Sequence, residues 1–259
     1  MIKVIKIGGN VLDDEAVLKG FCRDFASLEG PKVLVHGGGK LASQLQSALG
    51  QTPLKIEGRR VTDADTLKVV TMTYAGWCNK QIVALLQAEG CNAIGLAGCD
   101  ASVVTAEKRP PRTLSDGVTK VDYGFVGDVT PDSVNVPFLE MLLENGITPV
   151  LCAINHDGRG QLLNTNADTV AASVAAALKA YLVCCFELDG VLMDKDDPSS
   201  IIPSMDSRMY ATLKAEGRVD GGMLPKLDNC FLALRQGASG AMIKNVSRLK
   251  DGLGTGIIL

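Results

Sequence analysis

Two glycine clusters, each just past a short run of β-branched residues, constrain the fold of this chain more than any other feature. Ile2 to Ile7 (IKVIKI) runs into Gly8-Gly9, and Lys32 to Val35 (KVLV) runs into His36-Gly37-Gly38-Gly39. Short continuous apolar runs mark strands buried on both faces, as in parallel sheets. A glycine cluster after such a strand lies at its carboxyl end, where open α/β sheets bind ligands. Glycine turns the chain at positive φ and lets backbone N–H groups approach an anion closely. A single Gly-Gly is equally well read as a tight strand-to-helix turn. The triple glycine says more, because the helical pattern of Lys40 to Leu49 follows it. It delivers the chain into a helix amino terminus, whose unpaired N–H groups and dipole favour an anion. With Lys6 adding a point charge, the two loops together point to a nucleotide polyphosphate. The Walker spacing G-x-x-x-x-G-K-[ST] and the dinucleotide spacing G-x-G-x-x-G are both missing at the triple glycine, so any nucleotide binds by another arrangement.

The chain has 259 residues, enough for one large domain or two lobes, and a compact fold of that size buries roughly 70 to 75% of its unfolded surface. Its 26 basic and 29 acidic side chains leave a net charge of −3, which provides neither the basic field of a nucleic-acid binder nor a polybasic membrane patch. Hydrophobic residues make up 46%, in runs of strand length or broken by charge, short of the roughly 18 to 20 residues of a membrane span. Met1-Ile2-Lys3-Val4 leads straight into the first strand pattern without a secretory signal. The expectation is a cytoplasmic protein acting on a small molecule, with no nucleic-acid or membrane partner. Eight cysteines form no C-x-x-C pair and only two histidines accompany them, so reduced core thiols are expected rather than disulfides or a structural metal. Adjacent Cys184 and Cys185 should point to opposite faces of a strand.

Strand and helix patterns alternate along the chain, the order of an α/β fold with a large sheet. Strands are predicted at 2–7, 32–35, 92–96, 147–153, 181–186, 241–244 and 256–259. Helices are predicted near 14–28, 40–49, 63–89, 131–144, 167–179, 206–216 and 224–236. Val118 to Val129 alternates like a hairpin, and Asp194 to Pro203 reads as a polar surface loop. The lone Trp77, at helical spacing, reads as core or dimer packing. His36 has no second histidine or carboxylate at ligand spacing and is assigned to structure, with no protein-held metal expected. A boundary between two lobes, 1–166 and 167–259, is placed near Asn164 to Asp168, where hairpin patterns give way to a helix-rich half.

Further clusters stand at Gly58-Arg59-Arg60-Val61-Thr62, Asn79-Lys80, Asn164-Thr165-Asn166-Ala167-Asp168 and Gly221-Gly222-Met223-Leu224-Pro225-Lys226. Taken with K-I-G-G and H-G-G-G in this order, and with Gly254-Thr255-Gly256-Ile257 as a closing strand, they make the chain resemble the amino-acid kinase family, and within it the acetylglutamate kinases. The resemblance spans nearly the whole chain. It implies a three-layer αβα sandwich around a large, mainly parallel sheet, forming a single amino-acid kinase domain. Within it, 1–166 would bind the acyl amino acid and dimerise, and 167–259 would bind ATP. It also implies transfer of the γ-phosphoryl group of ATP, with Mg2+ carried by the nucleotide, to the side-chain carboxylate of an N-acylated glutamate in arginine biosynthesis.

The residue types suit that chemistry. A carboxylate acceptor is already ionised at neutral pH, so no general base is needed and phosphoryl transfer rests on positioning and charge neutralisation. By the resemblance, Lys6 would hold the transferring phosphoryl group, Lys226 the leaving side of the nucleotide, and Asp168 would orient both lysines. Gly8, Gly9, Gly38 and Gly39 would give backbone N–H groups to the phosphates and the transferring group. Arg60 would clamp the acceptor's α-carboxylate with parallel hydrogen bonds. Asn164 and Asn166 would read the acyl-amide and α-carboxylate end. Glu187 stands where the family has an aspartate near the nucleotide, and Lys40 where proline often follows H-G-G-G. Lys40 therefore raises a second acceptor, N-succinyl-glutamate, while a catalytically silent nucleotide or amino-acid sensor of the same fold is a third reading. The first strand begins without the preceding helix of arginine-inhibited relatives, which implies a homodimer that arginine does not inhibit.

Overall fold

The computed structural model describes residues 1–114, 116–194, 196–219 and 222–259. Gly221 of the second glycine motif and Lys195 of the polar loop lie outside the described residues. Eight strands build the main sheet: β1 (Lys3–Ile7), β2 (Lys32–His36), β3 (Ala93–Leu96), β4 (Thr148–Cys152), β5 (Tyr181–Phe186), β6 (Ser204–Met205), β7 (Gly240–Asn245) and β8 (Thr255–Ile257). Their order across the sheet is β6-β8-β7-β5-β1-β2-β4-β3. All neighbours run parallel except β7 and β8, which pair antiparallel.

Alternation along each strand sorts the side chains between two helical layers. Ile5, Ile7, Leu34, Val150, Val183 and Cys185 pack with α1 (Gly9–Asp13), α2 (Glu15–Ala26) and α5 (Asn79–Ala88). Val4, Val35, Leu151, Leu182 and Cys184 pack on the other side with α6 (Val136–Glu144), α7 (Ala167–Ala177) and α9 (Met223–Arg235). This is the expected three-layer αβα sandwich, and Cys184 and Cys185 do point to opposite faces. Fully buried Phe21, Phe25, Leu18 and Leu86 anchor the first layer, each such side chain stabilising by about 1.5–3 kcal/mol relative to exposure. Lys6 shares the parity of Val4, which turns its side chain towards α7.

The helices start in two ways. Asp14 caps α2 by accepting from Ala16 N and Val17 N, and Asp63 caps α4 (Ala64–Thr71) through Thr66 N. Asn166 caps α7, and Asp206 caps α8 (Ser207–Ala215). By contrast α1, α3 (Gly39–Ala48) and α9 start from Gly8, Gly38 and Gly222 with no side-chain cap. Their first N–H groups are left for another acceptor.

Several sequence expectations change. The helix over 63–89 is interrupted by a π-helical segment, Met72–Cys78, between α4 and α5. The 118–129 alternation is extended, but its halves do not pair with each other: Lys120–Val121 pairs with Arg112–Thr113, and Gly127–Asp128 with Glu107–Lys108. The hairpin of Ile154–His156 and Leu162–Asn164, and the short helix α1, were not predicted. Trp77 is 64% exposed, so it is not a core residue.

Candidate active site

The two uncapped glycine turns meet at the carboxyl edge of β1 and β2. A Cβ placed on Gly9 would lie 3.8 Å from the backbone N of Lys40, and one on Gly8 would lie 3.8 Å from Lys6 Nζ. The loops therefore face each other across the Lys6 ammonium. Gly38 admits no side chain, because a Cβ there would fall 2.7 Å from Tyr74 Cδ1. His36 holds the triple-glycine loop from beneath. Its Nδ1–H donates to Gly37 O at 2.8 Å, and its Nε2 accepts from Asn79 Nδ2 at 3.0 Å, while Asn79 also donates to Val150 O. Burial pushes the His36 pKa down to about 4, against the Gly37 hydrogen bond, so the ring is neutral at physiological pH. The structural assignment of His36 thus has a definite content: it is a tether.

Lys6 Nζ lies 2.6 Å from Asp168 Oδ1, with only 6% and 13% of the two side chains exposed. Burial opposes charge on both groups. The carboxylate nonetheless holds Lys6 above its ordinary pKa, and Lys6, with Lys226 adding to it, holds Asp168 below the usual carboxylate value. Asp168 sits in the first turn of α7, where the helix dipole also favours its negative form. Asn166 Oδ1 caps that helix by accepting from Asp168 N at 2.7 Å, leaving its Nδ2 as a donor. Asn164 Nδ2 donates to Thr62 Oγ1 at 3.0 Å.

These residues line a cavity of about 240 Å³ containing Lys6, Gly8, Gly9, Gly38, Gly39, Arg60, Asn164, Asn166 and Asp168. The Arg60 guanidinium is buried and donates to Gln46 Oε1, Gly39 O and Ser43 Oγ. Lys55, Arg59, Tyr74, Arg109 and Thr165 also line the cavity and were not assigned to it from the sequence. Arg109 is paired with Asp128 through both carboxylate oxygens. Burial, and then the neighbouring Arg109 and Arg112, push the Arg59 pKa down. Among the described residues, the cationic side chains of Lys6, Lys55, Arg59, Arg60 and Arg109 thus share a small cavity with one carboxylate, Asp168. Such a space suits a small polyanion.

Two expected residues lie outside this cavity. Lys226, half-buried on α9, donates to Gly222 O at 3.0 Å and lies 5.9 Å from the Phe186 ring. It still reaches the site through its charge, which helps depress the Asp168 pKa. Glu187, exposed beyond β5, accepts a hydrogen bond from Asn10 Nδ2, and its backbone O accepts from Asn245 Nδ2 at 2.7 Å. Lys40 pairs with Asp13 at 3.2 Å and does not line the cavity. The N-succinyl reading thereby loses the residue that prompted it. A larger cavity of about 580 Å³ opens at the opposite, amino-terminal edge of the sheet beside Ile2, Lys32 and Thr148. It holds none of the glycine-loop or Lys6–Asp168 residues, so the reacting groups belong to the smaller one. Among the described residues, no three His, Cys, Asp or Glu side chains are placed to hold a metal ion.

Comparison with known proteins shows the family. The model of the amino acid kinase family matches residues 1–245. Acetylglutamate kinase from Cytophaga hutchinsonii is 50% identical over 252 residues, covering 96% of this chain and 92% of its own. Acetylglutamate kinase from Phocaeicola vulgatus is 47% identical over 258 residues, covering 98% and 97%. Among solved structures, smu.665 from Streptococcus mutans UA159 superposes with a TM-score of 0.77 at 28% identity, covering 99% of this chain and 98% of that one.

Proposed function

The chain belongs to the amino acid kinase family, and from that premise we propose that it transfers the γ-phosphoryl group of ATP to the side-chain carboxylate of N-acetyl-L-glutamate, a step of arginine biosynthesis. The observation that carries this reading is the buried Lys6–Asp168 pair facing two uncapped glycine turns. An acceptor carboxylate oxygen attacks the γ-phosphorus, the bond from that phosphorus to the ADP oxygen breaks, and an acyl phosphate and ADP leave. No proton has to be removed, which suits a cavity without a catalytic histidine.

Each group then has a task set by its position. Lys6 and the N–H groups of Gly8, Gly9, Gly38 and Gly39 neutralise charge on the transferring phosphoryl group, and such preorganised donors are worth more in a water-poor cavity than in solution. Asp168 keeps Lys6 charged and aimed. Lys226 takes the charge that develops on ADP, and Glu187, fixed to Asn10 beside Gly9, borders the nucleotide. Arg60, Asn164 and Asn166 hold the N-acyl amino acid. Mg2+ arrives on the ATP oxygens. Residues 1–166 form the acceptor and dimerisation lobe and 167–259 the ATP lobe, a division supported by the cavity lining, which apart from Ala167 and Asp168 comes from residues 1–166.

A cytoplasmic homodimer accompanies this reading. The exposed apolar side chains Trp77, Met72 and Leu49, together with the outer edge of β3, which has no strand partner among the described residues, favour a partner there. Phosphorus NMR of ATP, magnesium and N-acetyl-glutamate with the protein tests the reaction: ADP and an acyl-phosphate signal are expected. Tight ATP binding without either product would instead indicate a sensor.

A further inference from the structure

Arg60 cannot by itself grip a carboxylate with parallel hydrogen bonds. A guanidinium offers two parallel forks, Nε with Nη2 and Nη1 with Nη2, so each fork needs a hydrogen of Nη2. Here Nη2 donates to both Gly39 O at 2.6 Å and Ser43 Oγ at 2.7 Å, which commits its two hydrogens, and Nη1 donates to Gln46 Oε1. The remaining N–H groups, on Nε and Nη1, do not lie side by side. A carboxylate placed at Arg60 needs a second donor from elsewhere.

Tyr74 is placed to give it. It lies in the π-helical segment Met72–Cys78, is only 6% exposed, and lines the same cavity. Single π turns recur at functional sites because they re-aim side chains within a helix. Here the segment presents Tyr74 to the cavity while Trp77 faces solvent. The Tyr74 ring packs on the triple-glycine loop, and a Cβ on Gly39 would lie 3.7 Å from its hydroxyl oxygen. Burial raises the phenol pKa and the adjoining Arg60 charge and hydrogen bond only partly oppose this, so the hydroxyl keeps its proton at neutral pH. A phenol hydroxyl beside a guanidinium turns its oxygen to the cation and its O–H elsewhere.

We propose that Tyr74 is a specificity-determining residue of the acceptor site: its hydroxyl donates to the acceptor's α-carboxylate beside Arg60, completing a carboxylate seat that Arg60 alone does not form. This deepens the kinase reading and rests on it for the identity of the acceptor. The test compares the wild type with Tyr74→Phe, which keeps the ring on Gly38 and removes only the hydroxyl. Calorimetric Kd and steady-state KM are measured for N-acetyl-glutamate and for its α-amide, with KM for ATP and Tm measured in parallel. A hydrogen bond to a charged group contributes about 1.5–3 kcal/mol, so Kd and KM for N-acetyl-glutamate should rise roughly 10-fold or more. The α-amide, whose neutral carbonyl is the weaker acceptor, should lose distinctly less, and KM for ATP and Tm should stay as in the wild type. An unchanged Kd for N-acetyl-glutamate, or an equal rise with the α-amide, overturns the proposal. Because Kd needs no turnover, a protein that binds the acceptor but forms no acyl phosphate would sink the kinase reading while still deciding the role of Tyr74.

Discussion

Lys6 and Asp168 hold each other inside the protein at 2.6 Å, whereas Lys226 stands half-buried on the first turns of α9 with a backbone carbonyl, Gly222 O, as its hydrogen-bond partner. The side proposed for the acceptor is built from groups whose partners are protein atoms: Arg60 on Gln46 and Ser43, His36 on Asn79, Asn166 on the first turn of α7. The side proposed for the nucleotide has exposed Glu187 and the open start of α9. On the proposed reading, two identical ammonium groups have different duties: Lys6 belongs to the fold as much as to the chemistry, while Lys226 supports the fold only through its weaker pull on Asp168.

The sharpest way to break that distinction is to remove each lysine in turn. Lys6→Ala should lower kcat roughly 10²-fold or more, as loss of one preorganised donor does. It should also destabilise the protein by about 3 kcal/mol or more, because it leaves Asp168 buried without its partner. Adding Asp168→Asn should recover stability in urea unfolding without recovering turnover. Lys226→Ala should lower kcat roughly 10²-fold as well, yet shift the urea midpoint far less than Lys6→Ala, since its pull on Asp168 is the weaker one. An equal stability loss in both single variants would erase the contrast.

His36 gives a pH test of the buried side. Its folded pKa of about 4 lies below the ordinary 6.5, so the unfolded chain takes up its proton first and the neutral ring stabilises the fold fully above pH 6.5. That stability is lost as pH falls from 6.5 through 4, by at most about 1.4 kcal/mol per unit and roughly 3 kcal/mol in all. Chemical denaturation across that range, compared with His36→Asn, should show the slope in the wild type and a flatter curve in the variant. Equal slopes would mean that another group carries the acid sensitivity. The smallest expected effect is at Arg60, where Arg60→Ala should raise acceptor KM roughly 10-fold. A fall in kcat at unchanged KM would contradict its place on the acceptor.

Much of this was legible in the sequence because it is local or periodic. The β-branched runs ending in glycine marked β1, β2 and the uncapped start of α3, and the Ala-rich 167–179 pattern marked α7. Partner choice was less legible. The ribbons that pair 107–108 with 127–128 and 112–113 with 120–121 are two residues long on each strand, too short for alternation to show which segments pair. Trp77 has the spacing of a core residue, and only the π turn sends it to solvent. Tyr74 and Arg109 carried no motif. Their membership in the cavity follows from where Gly38 packs and where Asp128 stands. Lys40 looked like an acyl-group partner because it follows the triple glycine, but Asp13, at the end of the unpredicted α1, takes its charge.

The most direct measurement is hydroxamate trapping of acyl phosphate from ATP, magnesium and N-acetyl-glutamate, run on the wild type, Lys6→Ala and Lys226→Ala with thermal melting in parallel. Trapped product from the wild type, loss of it in both variants and a Tm lowered far more in Lys6→Ala than in Lys226→Ala is the expected result. No trapped product from the wild type, or Lys226→Ala melting as low as Lys6→Ala, would contradict the account.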